Sequence, residues 1–248
     1  MTAPLLSSFG LSNRGNVRAK NEDTILRRDE LSLFAVADGM GGHYGGEVAS
    51  RIAIETLLHS IVGSQGNAEG SAVLRRAARA AHEAVLAESE RSKLRRGMGT
   101  TLSALLIGER EAWIAHVGDS RIYRLREPDW RQLTLDHSIV AERVRAGLMS
   151  AEEAEFSPQR NFLTRALGTQ PDPEFEFLDI DIRPGDRFLL CSDGLWSEVE
   201  DGLIRIALQD RTHSLEECCR ELLERALSSG GRDNISLVLV EVSGARPC

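Results

Sequence analysis

The stretch Leu33-Phe34-Ala35-Val36-Ala37-Asp38-Gly39-Met40-Gly41-Gly42-His43-Tyr44-Gly45-Gly46 decides how this chain is read. Five apolar residues suit a short buried strand, and the strand closes on an acid. Asp-Gly is also the commonest hairpin turn, and for a single instance that reading would win. A hairpin, however, needs a second strand at once. Here a glycine-rich loop follows, then a helical pattern in which Ala49, Ile52, Ala53 and Thr56 share one face. The arrangement recurs where Phe188-Leu189-Leu190-Cys191-Ser192 closes on Asp193-Gly194 and another helical pattern begins. Asp119 follows the run 113–118, and Asp233 with Asn234 immediately precedes the apolar run 235–242. Four acids thus flank four strands. Carboxylates that converge at one sheet edge repel each other unless cations bind between them. Glycine beside the acid lets backbone approach a ligand and offers a carbonyl as a further oxygen donor, which suits magnesium or manganese. Zinc would call for more His or Cys.

Short runs rich in Val, Ile, Leu and aromatics read as strands at 31–37, 101–107, 111–117, 121–125, 187–192 and 235–242. Leu74, Ala77, Ala78, Ala81 and Val85 make a second amphipathic helix. A third carries Leu215, Cys218, Cys219, Leu222, Leu223, Ala226 and Leu227 as a stripe, opened by a Ser214/Glu217 capping box and stopped by Gly230-Gly231. Helices and strands do not alternate as in βαβ units. Grouped helices beside antiparallel-looking strands predict an α+β layered architecture, with sheets covered by helices. No linker or compositional break divides the sequence, which predicts one domain over 1–248. The polar stretch 136–168 holds two weakly helical pieces, 139–146 and 151–156, and reads equally as a flap bordering the site or as a plain connecting loop.

At 248 residues and 42% hydrophobic content the chain can bury a large core. Its formal net charge of -8 argues against nucleic acid or an anionic membrane as partner, since both require clustered Lys and Arg. Cys191, Cys218, Cys219 and Cys248 lack a paired C-x-x-C spacing, which points to a reducing cytosol. The first residues carry no basic-then-apolar leader and no apolar run reaches membrane-spanning length, so a soluble, cytoplasmic protein is expected.

Upstream, Arg18-Ala19-Lys20-Asn21-Glu22-Asp23 sets a guanidinium, able to grip phosphate through two parallel hydrogen bonds, close to a Glu-Asp pair. This segment is followed in order by Val36-Ala-Asp-Gly-Met-Gly-Gly-His43, Gly97-Met-Gly-Thr-Thr101, Val117-Gly-Asp-Ser-Arg121, Leu135-Asp-His137, Ser192-Asp-Gly194 and Arg232-Asp-Asn234. Together, over nearly the whole chain, they resemble the motifs of the metal-dependent type 2C serine/threonine protein phosphatases in their bacterial branch. Each motif is weak alone, but seven in order are specific.

The resemblance implies a four-layer α-β-β-α sandwich, two antiparallel sheets flanked by helices, with a two-metal site at one end. It implies that Asp38 bridges two Mn2+ or Mg2+ ions, that Asp193 and Asp233 complete one, and that Glu22 and the Gly39 carbonyl serve the other. Asp119 matches the ligand of a third, weaker metal, Arg18 the phosphate-binding arginine, and 136–168 the flap that influences substrate choice. The implied reaction is hydrolysis of phosphoserine and phosphothreonine, reversing a Ser/Thr protein kinase, by a metal-bridged hydroxide that attacks phosphorus in line. The leaving oxygen takes its proton from His43 or from a metal-bound water; Met40 stands where many eukaryotic relatives have a histidine. The other histidines, among them His116 and His137, read as structural or exposed.

Other chemistries fit less well. A cysteine-dependent phosphatase needs Cys and Arg flanking a five-residue loop, but Cys191 has Ser197 at the Arg position, and Cys219 with Arg225 falls inside a helix whose amides are taken. No nucleotide-binding glycine motif occurs. A pseudophosphatase that binds phosphoproteins without turnover, or a hydrolase of small phosphoesters, would share the same residues.

Overall fold

In the computed structural model the described residues are 4–41, 45–64, 69–91 and 93–245. The chain opens with strands β1 (Pro4–Asn13), β2 (Asp23–Arg28) and β3 (Leu33–Met40), then helices α1 (Gly46–Gly63) and α2 (Gly70–Arg91). A run of strands follows: β4 (Gly99–Thr100), β5 (Leu102–Ile107), β6 (Glu111–Val117), β7 (Arg121–Arg126) and β8 (Asp129–Gln132). Two short helices, α3 (Ile139–Arg145) and α4 (Ala151–Glu155), lead to β9 (Glu176–Asp181) and β10 (Arg187–Cys191). Helices α5 (Asp193–Trp196), α6 (Asp201–Gln209) and α7 (Leu215–Ser228) precede the last strand, β11 (Ile235–Ala245).

The strands form two sheets, ordered β1-β11-β10-β7-β8 and β2-β3-β5-β6-β9, with β4 paired to β3. Every pairing is antiparallel. Three apolar layers hold the stack. Between the sheets lie Phe34, Val36, Leu105, Ile114, Phe188, Leu190 and Val238, all essentially buried. Alternate residues of the same strands face outward: Ala35, Ala37, Leu102 and Val117 meet the α1 and α2 side chains Ala53, Leu57, Leu74, Ala78 and Val85. On the other outer face, Leu189, Leu237 and Leu239 meet Leu195, Ile204, Leu208, Cys218, Cys219 and Leu222 of α5 to α7. The inner strands of the sandwich are therefore apolar on both faces, and full burial of each Leu, Ile, Val or Phe contributes about 1.5–3 kcal/mol. This is the α-β-β-α layering that the resemblance implies.

Helix ends follow the sequence closely. Ser214 Oγ accepts from Glu217 N at 3.2 Å and a Glu217 carboxylate oxygen accepts from Ser214 N at 2.8 Å, the reciprocal box that starts α7. Gly231, at φ 56, ends it by donating its N–H to Ala226 O at 3.0 Å. In α1 the buried line runs through Ala49, Ala53, Ile54, Leu57 and Ile61, leaving Ile52 and Thr56 only half-buried at its margin. The six strands marked in the sequence are the inner ones, β3, β5, β6, β7, β10 and β11, while β1, β2, β8 and β9, which escaped it, are the four edges. Edge strands tolerate polar faces, as in β9, where Asp179 and Asp181 lie exposed while Leu178 and Ile180 pack inward. No described helix is long and apolar enough to cross a membrane.

Candidate active site

Register brings the strand-end acids to one rim. In the second sheet Asp23 pairs across from Asp38, Gly39 from Thr100, and Leu102 from Val117. The ends of β3 and β6 therefore share that rim with the starts of β2 and β5. In the first sheet Cys191 pairs with both Arg121 and Leu237, and Asn13 with Ile235, which sets the end of β10 beside the start of β11. The two rims meet where Ser192 Oγ donates to Asp23 Oδ2 at 2.8 Å. Above them opens a cavity of about 850 Å³ lined by Arg18, Glu22, Asp38, Gly39, Asp119, Asp193 and Asp233. His43 lies outside the described residues.

Each acid is held by its backbone. Asp38 N donates to Thr101 Oγ1 at 2.9 Å, while Thr100 Oγ1 and Thr101 N each donate to Asp38 O at 2.9 Å. A Cβ on Gly39 would lie 2.1 Å from Gly46 O and 2.6 Å from Glu22 O, so three backbone segments meet where only glycine fits. A Cβ on Gly46 would meet both Gly39 O at 2.7 Å and Glu22 Cδ at 2.8 Å. The Gly39 carbonyl and the Glu22 carboxyl group thus both pack against Gly46, side by side. Across the rim, Asp233 accepts from Asn234 N at 2.8 Å and from Arg18 Nη2 at 2.6 Å. Asp119 is buried, and its carbonyl accepts from Trp196 Nε1 at 3.0 Å. Arg121 stacks on the Trp196 ring at 3.6 Å and holds Asp136, at the start of the stretch 136–168, at 2.7 Å. Asp136 is thereby engaged by Arg121.

The electrostatics are those of a cation site. Burial, then the neighbouring charges of Asp23, Asp193, Asp119 and Asp233, push Asp38 well above the usual carboxylate range. Burial and Asp193 do the same to Asp119, burial and Asp233 raise Asp193 to about 6, and burial raises Glu22. Asp23, not singled out as a ligand from sequence, is raised by burial to about 7. Asp193 Oδ1 and Asp23 Oδ1 are buried without a hydrogen-bond partner. Buried carboxylate oxygens that meet no donor from the protein are suited to a positive charge. Carboxylates and a carbonyl, without sulfur or imidazole, form the donor set of a hard divalent ion, so the residues fit manganese or magnesium.

Two further groupings carry different roles. Among the described residues His116, His137 and Glu176 present ligand-type atoms within 4.8 Å of one another. His116 Nδ1 and Nε2 are, however, engaged by Ser103 Oγ at 2.9 Å and Leu135 O at 3.0 Å, and His137 Nδ1 accepts from Gly118 N at 3.2 Å. Burial lowers the two to about 4 and about 3, so both are neutral struts under the rim. Burial pushes the Cys191 thiol up to about 12 and the Cys219 thiol higher still, which removes both as nucleophiles.

Sequence reasoning did not single out Thr101, Trp196 or the side chain of Asn234. Thr101 and Asn234 stand inside quoted motifs, which was the available signal; Trp196 follows Asp193-Gly194 by two residues.

Residues 15–235 match the protein phosphatase 2C family model. The chain is 41% identical over 232 residues to the serine/threonine protein phosphatase PstP of Mycobacterium tuberculosis, a match covering 93% of this chain and 44% of that protein. It therefore spans less than half of that relative. It is 36% identical over 236 residues to the serine/threonine phosphatase stp of Listeria welshimeri, covering 93% of each. Its fold superposes on the crystal structure of the PstP catalytic domain in complex with two manganese ions at a TM-score of 0.87, with 39% identity over 96% of this chain and 98% of that one. On these grounds the chain belongs to the protein phosphatase 2C family, in its bacterial branch.

Proposed function

We propose that this protein hydrolyses phosphoserine and phosphothreonine monoesters of proteins, with two divalent cations, Mn2+ or Mg2+, held at the shared rim of the sandwich. The observation that carries the reading is the convergence of buried carboxylates, two of them with an unpartnered oxygen, beside a half-exposed arginine in a cavity of about 850 Å³. Asp38 would serve both cations, Asp193 and Asp233 one of them, and Glu22 with the Gly39 carbonyl the other; Asp119 would hold a third, more weakly. When bound, such ions activate water and offset charge on the phosphoryl oxygens.

The chain's own residues supply the rest. Arg18, tethered to Asp233 and open to the cavity, would take phosphate oxygens through its planar fork. Thr100 and Thr101 fix the Asp38 backbone, so the acid meets its ligand without first being ordered. Residues 136–168 act as the flap: Ile139, Phe162, Leu163 and Thr164 line the cavity wall, where they would meet the polypeptide around the phosphorylated residue. His43 would protonate the leaving oxygen. Substrates are then products of a Ser/Thr protein kinase. Homologous proteins that are named serine/threonine phosphatases support the reaction class.

Turnover of a phosphothreonine peptide is the test. Activity is expected to vanish in EDTA and return with Mn2+. Chelator-resistant turnover would overturn the metal assignment, and Mn2+ binding without turnover on any phosphopeptide would replace the enzyme with a phosphoprotein-binding module.

A further inference from the structure

Residues 14–22 carry Arg18 and Glu22, yet they form neither helix nor strand. Something other than a regular backbone ladder must hold them over the acids. The Asn234 side chain, 4% exposed, spans both ends of this loop. Its Nδ2 donates to Arg14 O and to Lys20 O, both at 2.9 Å, and its Oδ1 accepts from Glu22 N at 2.8 Å. Two donors face two carbonyls and the acceptor faces an N–H, so the amide has one orientation and its neighbours fix it. Its backbone is fixed as well: Asn234 N donates to Asp233 Oδ1 at 2.8 Å, Ser192 Oγ donates to Asn234 O at 3.3 Å, and a Cβ on Gly194 would strike that carbonyl at 2.1 Å.

We infer that Asn234 is a positioning residue: its carboxamide clamps the loop 14–22 to the Asp233 segment and thereby sets Arg18 for phosphate and Glu22 for its cation. The inference rests on the roles proposed above for those two residues. It adds a coupling between the phosphate-gripping loop and the Asp193/Asp233 arm of the site, made by one side chain whose carboxamide is engaged by three backbone groups of the loop. Partners behind metal ligands are typically worth about 10–100-fold in affinity or activity.

Asn234→Asp keeps the shape and the acceptor for Glu22 N but turns both donors into an oxygen facing two carbonyls. It is compared with the unaltered chain, with Arg18→Ala and with the double variant, in saturating Mn2+ on a phosphothreonine peptide. The expected result is a rise in KM of about tenfold for Asn234→Asp, shrinking to less than about twofold when Arg18 is already absent. Equal rises in both backgrounds, or an unchanged KM, would overturn the inference. Ser214→Ala, which removes only the α7 cap, serves as the control for simple loss of stability. If Arg18→Ala itself leaves KM unchanged, the phosphate role of Arg18 fails separately. The clamp is then decided by calorimetry with Mn2+ alone: weakening of one of two equivalents in Asn234→Asp supports it, and an unchanged isotherm overturns it. Should the Asp variant not fold by circular dichroism, Asn234→Ser is read by the same outcomes.

Discussion

The two ends of the sandwich gather charge in opposite ways. At the far end Arg126, leaving β7 of one sheet, reaches Asp186 at 2.8 Å and Asp181 of the other sheet at 2.8 Å. Arg187 and Arg211 share Glu241 at 2.6 and 2.8 Å. There the Arg126 hydrogen bond holds Asp181 below the usual carboxylate range. At the near end Asp23, Asp38, Asp119 and Asp193 face one another, Asp193 Oδ1 has no partner, and every one of the four is raised. Both ends use the same strands. What differs is that at one end each of these acids is met by an arginine, and the other is left one or more positive charges short. The missing charge is a specification for a ligand.

The largest effect that would break this contrast is expected from Asp38→Asn. Loss of the cation ligand proposed above should cut kcat by more than about a hundredfold, beyond the range of outer partners, while raising the melting temperature of the metal-free protein by relieving repulsion. A fall in metal-free stability would contradict the picture of an uncompensated acid cluster. The reciprocal change is Arg126→Ala, which strands the buried Asp186. It should cost about 3 kcal/mol in chemical denaturation and leave kcat/KM of the folded fraction unchanged. A catalytic effect would show that the ends are not independent.

A pH series sharpens the comparison. The folded, metal-free protein holds protons on Asp23 up to about 7 and on Asp193 up to about 6, which the unfolded chain releases near its ordinary carboxylate value of 3.8. Between those values the native state binds more protons than the unfolded one, so stability in EDTA should fall as pH rises from about 5 to 7. Mn2+ should flatten that slope by competing with the protons. Melting temperatures in EDTA that climb over this interval would refute the shifts. The smallest effect belongs to Asp181→Asn, which removes an exposed far-end partner while Asp186 still holds Arg126. No measurable change in melting temperature or activity is expected.

Much of this was legible in the residues themselves. The six inner strands announce themselves because both faces are apolar, and Asp38, Asp119, Asp193 and Asp233 because each sits beside one of them. The edges β1, β2, β8 and β9 stay hidden because a strand with one open side keeps polar residues that dilute its period. Convergence is hidden for a different reason. That Asp23 faces Asp38 is a matter of register, and that Ser192 reaches Asp23 is a matter of two sheets stacking; neither is local in sequence. Thr101 and Asn234 work through hydrogen bonds to backbone, which almost any loop residue of their kind could make. Only the folded neighbourhood distinguishes them.

Trp196 gives the near end an optical handle. Its indole donates to the carbonyl of Asp119, its ring lies against the Arg121 guanidinium, and it sits three residues after Asp193. Of the other two tryptophans, Trp113 lies against Gly70 at the start of α2, and Trp130 stacks on Tyr123 at 4.8 Å. In a chain carrying Phe at those two positions, emission would come from a single fluorophore set between Asp119 and Asp193. Each ion that enters could then be followed by the colour and lifetime of that one side chain, without a substrate present.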